Sequence, residues 1–151
     1  MAYDPQQIFN AANSFLLAAD RALEQRPVGS GQLQILFVPA IVSTAFAVEL
    51  YFKSIVTLEG SIAKGHNLSV LFERLSPNSQ ATLVASFKID SSAFKQKLAG
   101  ISDAFIEWRY IFEQQSANLD FQFLQGLAQA SRLQAESWLT HHSSGTPNGA
   151  P

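Results

Sequence analysis

ILFVPAIVSTAFAVELYFKSIVTL, residues 35–58, is the stretch on which the fold turns. Ile41, Ala45, Val48, Phe52 and Ile55 recur at alternating steps of four and three, a helical seam. Val42, Phe46, Leu50 and Val56 carry the apolar surface well around the same cylinder. A helix that is apolar on most of its circumference belongs at the centre of a bundle. The pattern predicts a helix from roughly 33 to 58. Pro39 removes a backbone donor and crowds the carbonyl of Ile35. Two readings follow, a kink at Pro39 or a regular helix that starts at about Val38. No charged residue occurs from Pro27 to Val48. The strongly apolar part, Ile35 to Val48, is nevertheless only fourteen residues long and contains Pro39, Ser43 and Thr44. A membrane span needs about 20 apolar residues. The stretch therefore reads as a core helix.

Around this helix the chain is sparing with charge. Its 151 residues include 10 Lys+Arg and 12 Asp+Glu, 15% charged, against 47% hydrophobic with twelve Phe. A typical soluble domain is about 25% charged. Disorder is excluded by the hydrophobic content. The absence of cysteine excludes a disulfide scaffold, cysteine-ligated metal sites and a thiol nucleophile. A net charge of -2 provides no global field for nucleic acid or acidic lipid. The first twenty residues lack the basic region and continuous apolar run of a signal peptide, so a cytoplasmic location is expected.

The remaining elements follow from caps and periodicity. Asp4-Pro5 starts a helix to about residue 25, with Ile8, Ala12, Phe15, Ala19 and Ala22 facing inward. Arg26-Pro27 ends it, and Val28 to Gly31 reads as a flexible connection. Glu59-Gly60 stops the central helix, and His66-Asn67 caps a short helix over 68–75. Ser76-Pro77 opens another, to about Phe87. Asp90 to about Gln115 carries the cleanest pattern, with Phe94, Leu98, Ile101, Phe105, Trp108 and Phe112 in one line. A last helix covers about 120–141. The expected fold is all-α, an up-and-down four-helix bundle with a short helical insert between the second and third long helices. Residues 1–142 form a single domain on this reading. Residues 143–151 have a disordered composition and form a tail.

Three segments carry a family resemblance. Ala47 to Lys53 reads A-x-E-L-Y-x-K, Gly65 to Phe72 reads G-H-[DN]-L-x-x-L-F, and Phe105 to Glu113 contains Trp108-Arg109-Tyr110. Together they resemble the HEPN superfamily of prokaryotic helical domains over roughly 35–115. The resemblance implies a helical bundle that pairs into a homodimer. Many members are metal-independent ribonucleases of toxin–antitoxin and phage-defence systems. In those, an R-x(4–6)-H motif supplies an Arg for phosphate and a His that acts on the ribose 2′-hydroxyl.

The chain departs from that motif. Counting from Arg109, the histidine positions hold Gln114, Gln115 and Ser116, and Arg132 is too far from His141. Glutamine cannot shuttle a proton near neutral pH, whereas histidine can. The family's usual nuclease site is therefore not expected, and no catalytic residue is assigned.

The candidate polar cluster is Glu49, Lys53, His66, Asn67, Arg109, Tyr110 and Glu113. Glu49 and Lys53 lie i,i+4 in the favourable orientation. Glu49 either closes that pair at the bundle's edge or reaches Arg109 or His66 across it. His66 has two readings, bonding backbone donors of the helix start or orienting its loop against Glu49. Arg109 either pairs with Glu113 or Glu49 or contacts phosphate, and its planar fork suits both roles. Trp108 reads as core. His141 and His142 suit a helix C-terminus; Lys88, Lys95 and Lys97 read as a solvated face. No metal or cofactor is expected, and no nucleotide-binding, hydrolase or DNA-specific motif is present. The leading expectation is a non-catalytic dimeric module that binds RNA or a cognate protein, with no membrane partner. The alternatives are a ribonuclease with a rearranged site built from Arg109, Tyr110, Glu113 and His66, and a purely structural dimerisation scaffold.

Overall fold

The structure is a computed structural model and describes residues 3–144. Its elements are α1 (Pro5–Ala22), β1 (Arg26–Val28), β2 (Gln32–Gln34), α2 (Phe37–Leu58), α3 (Leu68–Glu73), α4 (Pro77–Ala85), α5 (Ser91–Ile101), α6 (Ala104–Glu107) and α7 (Phe121–Ser144). Three-residue and six-residue 3₁₀ turns lie at Gly29–Gly31 and Trp108–Glu113. The chain is mainly helical, as its periodicity predicts.

The α2 helix is the centre. It packs along α1, on α7, and on α3 and α6. Pro39 occupies its third position, where a missing N–H costs nothing because first-turn donors lack helical partners anyway. The helix therefore begins at Phe37, close to the expected Val38, and carries the proline in its first turn. It is the one helix among the described residues long and apolar enough to cross a membrane, and 61% of its apolar window is buried within the fold.

On α1, Asp4 accepts from the Gln6 N–H at 2.9 Å and Pro5 follows at the first position. The buried face is Phe9, Ala12, Leu16 and Ala19, one residue round from the expected Ile8–Phe15 line. A helix wedged against both α2 and α7 buries the stripe between them. Phe15 is left at the rim, its ring 4.5 Å from that of Phe46. The expected flexible connection is instead an antiparallel hairpin, Arg26 opposite Gln34 and Val28 opposite Gln32. Ser30 and Gly31 take positive φ at its tip. All six strand residues are exposed.

The largest departure is in residues 90–115. The helix stops at Ile101, and α6 and the 3₁₀ turn continue in its place. Ser102 is the reason. Its carbonyl accepts from the Leu68 N–H at 3.0 Å, and its Oγ accepts from the Ser69 N–H at 3.1 Å while donating to the Leu98 carbonyl at 2.6 Å. Asn67 Oδ1 takes the next donor, the Val70 N–H, at 3.0 Å. The otherwise orphaned first-turn donors of α3 are thus satisfied in large part by the residue that ends α5. Phe94, Leu98 and Ile101 enter the core as expected. Phe105 and Trp108 are only partly buried, and Phe112 is 78% exposed, because the helical register is lost between them. The third long helix expected of a four-helix arrangement is accordingly not continuous.

Glu59, expected only as a helix stop, also ties α2 to α4. Its carboxylate accepts from the Ser76 N–H at 2.8 Å and the Ser79 hydroxyl at 3.0 Å. Asp120 caps α7, accepting from the Phe123 N–H at 2.9 Å and from Lys97 at 2.9 Å. The Lys97 bond first, then the Phe123 bond, hold its carboxyl below the usual carboxylate range. The α7 helix continues through Ser144, beyond the end expected for the last helix at about 141. The rest of the expected tail, 145–151, lies outside the described residues.

Ser102→Ala should destabilise the fold by about 1–2 kcal/mol, the cost of leaving a first-turn donor of α3 without its side-chain acceptor. Urea unfolding measures it. A loss of a few tenths of a kcal/mol would show that the hydroxyl does not bridge α5 and α3.

Candidate functional site

The cluster is organised by one carboxylate. Glu49 lies on the inner part of α2 and is only 1% exposed. Burying a charge is costly unless it is paired and hydrogen-bonded. Lys53 Nζ donates to Oε1 at 2.7 Å, and His66 Nδ1 lies 3.1 and 3.0 Å from Oε1 and Oε2. Glu49 therefore makes both contacts that the sequence left open, the i,i+4 pair and the reach to His66. Arg109 is not its partner.

The loop between α2 and α3 exists in the form that delivers His66. Gly60 and Gly65 have φ of 84° and 93°, a region that L side chains rarely adopt. They bracket a turn that brings the chain back alongside α2. Asn67, not His66, caps α3, and its Nδ2 also donates to Asp103 at 2.9 Å. This second bond fixes the start of α6 against the same turn. Of the two roles read for His66, orienting its loop against Glu49 is the one the geometry realises.

A carboxylate only accepts, so the ring nitrogen facing it must carry hydrogen. Nδ1–H is thus committed to Glu49, and Nε2 is the nitrogen left for other partners. The imidazole is 46% exposed. A buried acid holding a half-exposed imidazole in one tautomer is a general way to present a nitrogen to a ligand.

Arg109 joins the cluster through an aromatic ring. Phe105 stacks on Phe46 with centroids 4.6 Å apart, His66 lies 5.2 Å from Phe105, and the Arg109 guanidinium sits 4.5 Å over the same ring. Arg109 also lies 5.5 Å from the Tyr110 ring. Such cation–aromatic contacts hold a guanidinium while leaving its donors free. The expected Arg109–Glu113 pair is not formed among the described residues. Tyr110, at φ -115° and ψ 27°, takes the segment out of α-helical register, so i,i+4 no longer means the same face. Glu113 is exposed and apart from the Glu49 network.

The structure brings together Glu49, Lys53, His66, Asn67, Arg109 and Tyr110 and leaves Glu113 outside. Phe46 and Phe105 were missed as site residues, since each reads as an ordinary core position. The available signal was their spacing, Phe105 one helical turn before Arg109 and Phe46 nearly one turn before Glu49. Tyr51 of the same motif is core. It is fully buried, donates to Asn13 Oδ1 at 2.6 Å, and burial pushes its hydroxyl up to about 12. Elsewhere, Lys95 pairs with Glu73 and Lys97 with Asp120, and His142 bonds the Trp138 carbonyl. Among the described residues no three His, Asp or Glu side chains form a metal-ligand group.

In its neutral form His66 should carry its proton on Nδ1, read from long-range ¹H–¹⁵N correlations of the ring. A neutral ring protonated on Nε2 would contradict the Glu49 bond. Glu49→Ala should cost about 1.5–3 kcal/mol in urea unfolding, the size of losing hydrogen bonds to a charged group, because the partners it leaves, Lys53 and His66, are 20% and 46% exposed and reach water. No family model matches the chain, and no curated protein or solved structure matches it either.

Proposed function

We propose that this chain is a HEPN-like helical module, a four-helix-bundle variant whose third helix is broken, that works as a cytoplasmic homodimer and binds single-stranded RNA without cleaving it. The observation that carries the reading is Arg109. Its guanidinium is held over Phe105 by ring contacts and makes no ion pair among the described residues, so its fork remains open to phosphate.

Its surroundings suit a nucleotide strand better than a protein helix. Tyr110 and Phe112 are 47% and 78% exposed beside it, and exposed rings stack on unpaired bases. The His66 ring lies 5.2 Å from the same Phe105 ring. The dimer rests on a different feature: Leu33, Leu36 and Phe37 are exposed in the uncharged segment 27–48, a surface depleted in charge like the core of a subunit interface. Defence or toxin–antitoxin systems are the setting that the motif resemblance suggests for such a module.

A second reading, a metal-independent ribonuclease, is favoured by the Glu49–His66 arrangement. Nε2 could take the 2′-hydroxyl proton as the 2′-oxygen attacks phosphorus and the 5′-oxygen leaves, with Arg109 on the phosphate. The missing histidine after Arg109 leaves this route without a second proton-transfer group from the family motif.

The test is fluorescence anisotropy with labelled single-stranded RNA at low salt, on protein whose mass is measured by light scattering. We expect twice the chain mass, saturable binding, and about tenfold or greater loss in Arg109→Ala, the scale of one charge-assisted phosphate contact. The salt slope should fall by about 0.7 for that contact. Absence of binding at low salt would point to a cognate protein or a scaffold role instead. RNA cleavage lost in both His66→Ala and Arg109→Ala would establish the ribonuclease.

A further inference from the structure

We propose that the cavity between the start of α1, the second half of α2 and the 61–65 loop is a binding site for a small organic anion with an apolar body. Its volume is ≈ 340 Å³, within the roughly 300–1,000 Å³ of small-molecule sites. Ile8, Leu50, Ile62 and Ala63 make an apolar wall, Tyr3 and Thr57 add hydroxyls, and Lys53 and Lys64 bring positive charge. No acidic side chain is among its lining residues.

The two lysines are not equivalent. Lys53 is held by Glu49 at 2.7 Å, so its charge is already shared. Lys64 is exposed and makes no ion pair among the described residues. It stands directly before Gly65, whose φ of 93° turns the loop back toward α2. The same turn that delivers His66 to Glu49 thereby places Lys64, a cation without an ion pair among the described residues, on the lining of the recess.

That pairing selects the occupant. An apolar wall gains by removing a hydrocarbon or aromatic surface from water. An ammonium without a partner takes a carboxylate or phosphate as a point charge. A neutral ligand leaves Lys64 unused, and a bare inorganic anion leaves the wall wet. The site shares Lys53 with the Glu49 network, but Arg109, Tyr110 and Phe112 do not line it. Lys64→Ala leaves all three in place, so the two proposals stand or fall separately.

The experiment is a titration of the full chain with 1-naphthyl phosphate, followed by ¹H–¹⁵N correlation spectra, with 1-naphthol and inorganic phosphate as controls. Saturable shifts are expected at Ile8, Leu50 and Ile62 to Gly65. Lys64→Ala should weaken binding about tenfold, as expected for one lost charge-assisted hydrogen bond. Ile62 is 50% exposed, so Ile62→Ser tests the apolar wall with little risk to the fold, and should also weaken binding. Unchanged spectra away from the cavity verify that both variants are folded. Shifts centred elsewhere, wild-type affinity in Lys64→Ala, or equal binding by either control would overturn the proposal.

Discussion

A carboxylate buried on the most apolar helix governs how the rest of the chain is arranged. Glu49 is 1% exposed on α2, and an ion there survives only with donors on both oxygens. Lys53 comes from the same helix and is available as soon as the helix forms. His66 comes from seventeen residues later and requires the chain to reverse. The reversal uses two positive-φ glycines and fixes where α3 begins. Replacing the trio by hydrophobic residues of similar size would often be neutral or better for stability. Its presence is therefore better explained by the position it imposes on His66 than by the energy it contributes.

The start of α3, once placed, explains the break that follows. Its three first-turn donors are Leu68, Ser69 and Val70, and two of these are answered by Ser102. The Ser102 carbonyl accepts from Leu68, and the Ile106 N–H that would continue α5 bonds Asp103 instead. The α5 helix ends there, and α6 sets out again from Asp103, itself bonded to Asn67. Phe105 consequently packs against His66, with Arg109 over its ring, instead of continuing the seam of Phe94, Leu98 and Ile101. The break is what assembles the aromatic platform.

This also shows what a sequence can and cannot display. Caps at Asp4, Asn67 and Ser76, each with local chemistry, were legible, and the helices they start begin where the pattern predicts. The centrality of α2 was legible from its circumference. Residues 101–113 mislead because the apolar spacing persists there: Ile101, Phe105, Trp108 and Phe112 keep helical intervals although the backbone does not. What broke the helix was a hydrogen bond to a residue more than thirty positions away, and periodicity contains no term for that. Most of the candidate cluster was legible, but Glu113 lies outside it and Phe46 and Phe105 read as ordinary core. The cluster's wiring was not legible, because Glu49 had three chemically reasonable partners and only the fold chooses among them. The hairpin was hidden for a different reason: Val28-Gly29-Ser30-Gly31 carries the tip's positive-φ residues, but strands of three residues have too little alternation to register.

Scarcity of charge sharpens the interpretation of each charge that remains. In a chain with 15% charged residues, several carry evident structural duties: Glu49 with Lys53, Glu59 at the start of α4, Asp120 with Lys97 at the start of α7. Arg109 and Lys64 have no such duty, and both stand next to apolar surface, one over Phe105 and the other beside Ile62 and Ala63. A cation beside a ring or an apolar wall gives up part of its hydration without gaining a carboxylate. In a highly charged surface that arrangement would be lost among fluctuating pairs of little energetic weight. Here it occurs at two separate places, and both proposals take the completing group to be an anion from outside the chain.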